Sequence, residues 1–165
     1  MIGLIVSIFI FNLIAFKTNK RLTPAQIVQI WTFTAGFQLL FDMIVEFKYE
    51  SYWYFEPGVE WMGLLPRTVL IPPVNIIFLN GYPYSKGILK KLAYMLLFVI
   101  CILLYEKATM LPEPWGYFHY GSWKIWYSAI VDPILLLVLL GFYKWIIWLE
   151  TKGIQKKHDS KKKSF

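Results

Sequence analysis

Four polar side chains, Thr34, Gln38, Asp42 and Glu46, recur at intervals of four residues inside an otherwise apolar stretch. That spacing lays them along one slowly drifting face of a helix. A carboxylate among apolar neighbours is costly to desolvate, so the stripe is expected to face protein or a wet cavity. Ser128 and Asp132 repeat the interval further along the chain, Glu106 closes another apolar run, and Arg67, with Thr68 beside it, interrupts a third. The chemistry open to this set is ion pairing, proton uptake or cation binding. The planar fork of Arg67 can meet two carboxylates at once, and Asp42 and Asp132 are the two expected at its depth. Acids outnumber the cation, so one carboxyl is expected to be protonated or to meet water. Gln38, Asn75 and Ser128 supply neutral polar support.

Two readings of Asp42, Glu46, Arg67, Glu106 and Asp132 stay open. They form a site for a cation, proton or small polar ligand, as in transport or sensing, or they are an ion-pair knot that fixes helix order in a structural or accessory subunit. A lipid-modifying enzyme using carboxylates alone comes third. Other chemistry lacks its residues: His119 and His158 are far apart, with no HExxH, GxSxG or GxGxxG, and the stretch Gly81 to Lys86 lacks the spacing of a phosphate loop. Ser128 near Asp132 has no histidine at hand for nucleophilic catalysis. A lone Cys101 excludes an intrachain disulfide and reads as a small core residue. No catalytic residue, metal or cofactor is expected.

The elements that position these residues are apolar segments: Met1 to Phe16, Ala25 to Phe47, Trp61 to Leu79, Leu89 to Tyr105 and Ile125 to Leu149. Most have the roughly 17–25 residues a helix needs to cross a bilayer. The first is shorter. It lacks the basic start of a cleaved signal peptide and is followed by Lys17-Thr18-Asn19-Lys20-Arg21, so it is expected to be a retained helix. The third carries Pro66, Arg67, Pro72 and Pro73 and either crosses or breaks at the proline pair; Asp132-Pro133 marks a second expected kink. With 58% hydrophobic and 16% charged residues in 165, the chain is far more apolar than a soluble domain. The expectation is an all-α integral membrane bundle of five transmembrane helices over residues 1–149.

Charge placement orients it. Five crossings put Lys17, Lys20, Arg21, Lys86, Lys90, Lys91, Lys144 and the terminal lysines on one side, thirteen of 17 basic residues, which is the cytoplasmic side by the positive-inside rule. Glu50, Glu56, Glu60 and Glu113 fall opposite, with the N-terminus outside and the C-terminus cytoplasmic. The net charge of +7 is thereby assigned to loops and lipid headgroups rather than to nucleic acid. Aromatic clusters at Tyr49 to Phe55 with Trp61, and at Trp115 to Tyr127, read as an outer interfacial belt. Residues 150–165 read as a disordered basic tail whose Lys152, Lys156, Lys157, Lys161, Lys162 and Lys163 meet anionic lipid or a membrane protein partner.

The stretch from Asp42 through Lys48-Tyr49, Tyr52-Trp53-Tyr54-Phe55 and Val59-Glu60-Trp61 to Pro73-Val74-Asn75 and Leu79-Asn80-Gly81-Tyr82-Pro83, with Tyr105-Glu106, Trp123 and Tyr127-Ser128, resembles an uncharacterised family of small multi-pass integral membrane proteins of spore-forming Gram-positive bacteria (Bacillota). The resemblance covers most of the chain from the second span onward and implies a bacterial plasma-membrane protein without an assigned activity. In size and composition alone, the chain also looks like the tryptophan-rich sensory proteins that bind tetrapyrroles.

Overall fold

A computed structural model describes residues 1–58 and 61–162, with side chains described through residue 155. Each of the five apolar segments is helical. Helix α1 spans Ile2–Thr18, α2 Pro24–Asp42, α3 Ile71–Gly81, α4 Ile88–Thr109 and α5 Ile125–Lys162. Among the described residues three apolar helical stretches, Pro24–Lys48, Ile88–Thr109 and Ile125–Gln155, are long and apolar enough to cross a membrane. Only 11% of the most apolar stretch of α4 is buried inside the protein. Leu96, Leu97 and Leu104 stand exposed along it, a surface that water solvates poorly and lipid well.

Local chemistry sets the helix ends. At the start of α2, the Thr23 hydroxyl accepts from the Gln26 amide while the Gln26 side chain accepts from the Thr23 amide, both at 3.2 Å, with Pro24 in the first helical turn. This reciprocal cap satisfies two donors that a helix start leaves open. Asn80 ties the end of α3 to the end of α1, its amide donating to the Thr18 carbonyl at 2.5 Å and its oxygen accepting from Lys20 N–H at 3.1 Å.

The third segment is helical rather than broken. A π-helical stretch, Pro66–Leu70, runs directly into α3. Pro72 and Pro73 cannot donate to the carbonyls one turn earlier, and an orphan carbonyl in an apolar interior is costly. Both carbonyls find side-chain donors from neighbouring helices. The Trp31 indole N–H donates to Thr68 O at 2.8 Å, and the Asn12 amide to Val69 O at 3.1 Å. Asn75, expected near the break, bonds Thr34 Oγ1 at 3.0 Å and so ties α3 to α2.

Two short strands depart from the all-α expectation. β1 (Tyr52–Tyr54) pairs antiparallel with β2 (Phe118–Tyr120), setting Tyr52 opposite Tyr120, Trp53 opposite His119 and Tyr54 opposite Phe118. Side chains alternate across a strand. Tyr52, Tyr54, Phe118 and Tyr120 therefore share one face, while Trp53 and His119 stack on the other. The aromatic blocks that read as a lipid belt are thus in part a backbone-paired cap.

Successive helices run antiparallel between this sheet and the turns at the opposite end. The start of α1 lies at the sheet end, where Gly3 N–H donates to Pro114 O at 3.3 Å. The start of α2 meets the far part of α5, where Gln26 donates to Glu150 at 2.7 Å. α1 and α2 pack against α3, and α4 packs along α5. The two groups close on each other toward the turn end through Phe33 stacked on Phe142, ring centres 3.9 Å apart, and through Phe78 against Phe98. α5 continues as helix through Lys162, where a disordered tail was expected. At about 1.5 Å per residue the whole helix reaches roughly 57 Å, about twice the hydrocarbon thickness. Glu60, Lys163 and the side chains of Lys156, Lys157, Lys161 and Lys162 lie outside what is described.

Candidate functional site

The expected polar set divides into two groups of different character. The first centres on Arg67, at the start of the π-helical stretch before α3. A second π-helical stretch, Met43–Lys48, extends α2 and carries Glu46 one turn beyond Asp42. Arg67 Nε donates to Asp42 Oδ2 at 2.5 Å, Nη2 donates to Glu46 Oε2, and Nη1 donates to the Gly63 carbonyl. Asp42 Oδ1 accepts from Gln38 at 2.9 Å and from the Tyr52 hydroxyl at 2.6 Å. Exposure is 0% for Asp42, 4% for Glu46 and 3% for Arg67. The guanidinium also lies over the Tyr54 ring, 4.7 Å from its centre. A buried cation with an acceptor at every nitrogen and two carboxylates sharing it is a closed arrangement.

The expected partner pair for Arg67 was Asp42 with Asp132; the structure gives Asp42 with Glu46. Asp42 and Glu46 share one face of one helix, so the rotation that brings one to Arg67 brings both. Burial, then the neighbouring Asp42 carboxylate, pushes the Tyr52 phenol well above its ordinary value. It therefore serves Asp42 as a standing donor.

The second group joins the end of α4 to the start of α5. Glu106 Oε1 accepts from Ser128 Oγ at 2.8 Å and from the Tyr120 hydroxyl. The Trp123 indole N–H donates to Ser128 Oγ at 2.8 Å. Burial, then the hydrogen bond to Glu106, raises the Tyr120 phenol above its usual range and keeps it a donor. One turn along α5 from Ser128, Asp132 Oδ2 is buried with no hydrogen-bond partner among the described residues.

Both carboxylates line a cavity of about 320 Å³ between α2 and the π-α3 segment on one side and α4 and α5 on the other. Tyr52, Tyr54 and Phe118 of the sheet line it as well, and its walls are mostly aromatic and aliphatic. Gln38, Asn75 and Ser128 are its neutral polar groups along with Thr34 and Thr109. Arg67, Asp42 and Glu46 do not line it; Tyr54, which carries Arg67 on its ring, does. Cys101, expected in the core, is exposed on α4 and borders the same cavity. Among the described residues no group of three or more His, Cys, Asp or Glu is placed to hold a metal ion.

Sequence reasoning missed Asn12, Trp31 and Tyr120. The first two had a legible signal: a proline pair in an apolar segment orphans the carbonyls at Thr68 and Val69, and a neighbouring segment must supply donors. Tyr120 had none, because its reach to Glu106 depends on the strand pairing. No protein-family model, curated protein or solved structure is similar enough to this chain to count as a match.

Proposed function

We propose that this chain is a five-span protein of a bacterial plasma membrane, N-terminus outside and C-terminus cytoplasmic, whose cavity binds a cation, proton or small polar ligand at Glu106, Ser128 and Asp132. The observation that carries the reading is the buried Asp132 Oδ2 on a cavity wall, without a hydrogen-bond partner among the described residues. An unsatisfied buried carboxylate oxygen costs several kcal/mol unless something meets it, by about the magnitudes for stranded charges. The antiparallel order of the helices supports five crossings. Lys17, Lys20, Arg21, Lys86, Lys90 and Lys91 gather at the turn end with the extension of α5, and Glu50, Glu56 and Glu113 at the sheet end. That asymmetry is the one the positive-inside rule describes. The bacterial location follows from the family resemblance.

The closed Asp42–Arg67–Glu46 knot favours a second reading, a structural or accessory subunit whose charges only fix helix order. The two differ over water at Asp132. In intact cells carrying Asp132→Cys in a Cys101→Ser background, a membrane-impermeant thiol reagent added outside should modify the new cysteine. Modification only after denaturation would leave the cavity dry and the accessory reading in its place.

A further inference from the structure

We infer that the cavity takes a small organic cation, an alkyl or aryl ammonium compound, with its charged nitrogen between Asp132 and Glu106 and its apolar body among the aromatic walls. The inference rests on the reading that these carboxylates form a binding site, and it names the ligand class.

Three properties of the cavity select that class together. Its charge is one-sided: Glu106 and Asp132 line it, and among the described residues no Lys, Arg or His does. Arg67 is engaged by its three acceptors and lies over the Tyr54 ring, and Lys107, next to Glu106 in the chain, lies over the Tyr120 ring. Its size is about 320 Å³, at the lower end of the range for small-molecule sites and far beyond one desolvated ion. Its lining is rich in aromatic side chains, among them Tyr52, Tyr105, Tyr117 and Trp123, a residue class whose ring faces attract a desolvated ammonium through their quadrupoles.

Simpler occupants each leave something unaccounted for. A proton satisfies Asp132 and leaves the volume unused. A hard metal ion needs about six or more oxygen ligands, and two carboxylates in an aromatic cavity fall short of that shell. A neutral lipid chain fills the volume and leaves a buried carboxylate facing hydrocarbon. An organic cation fills the space and meets the charge.

The test uses two probes of one shape that differ in charge: benzyltrimethylammonium and its carbon isostere 2,2-dimethylpropylbenzene. Equilibrium dialysis of the purified full chain in a nonionic detergent, corrected for empty micelles, measures saturable binding of the ammonium and competition by the isostere. The expected result is saturable binding of the cation, with the isostere weaker by at least about tenfold. Asp132→Asn should lose binding and Asp132→Glu should keep it. Glu106→Gln is measured beside them, so that loss of fold in one neutral variant leaves the other to decide. Equal binding of both probes would overturn the inference, as would cation binding indifferent to Asp132→Asn and Glu106→Gln. No saturable binding of the cation, with Asp132→Cys still labelled from outside, would overturn the organic-cation inference and leave the wet site standing. No binding and no labelling would remove both.

Discussion

Removing Arg67 leaves Asp42 and Glu46 buried without their shared cation, whereas neutralising Asp132 removes a charge whose buried Oδ2 has no hydrogen-bond partner among the described residues. The two substitutions therefore act in opposite directions on the same fold. Arg67→Leu should destabilise the purified protein by about 3–5 kcal/mol, the range for breaking a buried ion pair from one side. Asp132→Asn should leave stability unchanged or raise it by up to about 1 kcal/mol, as expected where a buried charge is held at a cost to the fold. Thermal melts of both variants in one detergent check the contrast. Tyr52 adds a pH dependence. Its phenol is raised in the native protein by burial first and by Asp42 second, so the folded state holds a proton that the unfolded chain releases near pH 10. Stability from this group is full below about pH 10 and declines as the pH rises beyond it. Melts from about pH 8 to 11 should fall for the parent and run flatter for Tyr52→Phe, whose stability at neutral pH is lower by the lost bond to Asp42. The sequence announced the Asp42–Arg67 pair because unlike charges in apolar segments must meet. It assigned the second carboxylate by depth along the helices, and depth says nothing about which way each helix is turned.

At the scale of elements, the proline pair before the middle of α3 shows how a helix carries a defect inside a bundle. Asn12 and Trp31 donate to Val69 O and Thr68 O, so the packing of α1 and α2 on α3 is fixed by hydrogen bonds as well as by contact. Asn12→Leu should cost about 1–3 kcal/mol, the penalty for leaving a buried carbonyl unsatisfied. In a Pro73→Ala background, where the helix can satisfy Val69 O itself, the same substitution should cost clearly less. A double-mutant cycle on thermal unfolding reads that coupling directly. All five helical segments were legible from runs of apolar residues. The sheet was not: each strand is only three residues long, Tyr52-Trp53-Tyr54 is aromatic throughout, and the pairing joins residues more than sixty positions apart. The helical extension of α5 through Lys162 was hidden for a different reason. A lysine-rich stretch has adequate helix propensity but no apolar face, and continuation from a preformed helix avoids the cost of nucleation.

Over the whole molecule, α1 to α3 form one packed group and α4 with α5 another, with the cavity between them and the two-stranded cap across the sheet end. The loop before β2 is pressed tightly into place. A Cβ on Gly116 would lie 1.7 Å from the Leu111 carbonyl oxygen, and one on Gly3 would lie 1.9 Å from that of Trp115. Neither backbone atom can yield without moving its loop, so Gly116→Ala should lower stability by about 1–3 kcal/mol, measurable as a drop in melting temperature. The division into two groups also bears on synthesis. The Arg67 knot, the two proline-orphaned carbonyls and their donors all lie before residue 82. The first three helices can thus meet their internal polar needs while the ribosome is still making α4. The backbone edge of β1 has no such provision and waits for β2, which follows α4 in the chain, so the cap closes only after α4 has been made.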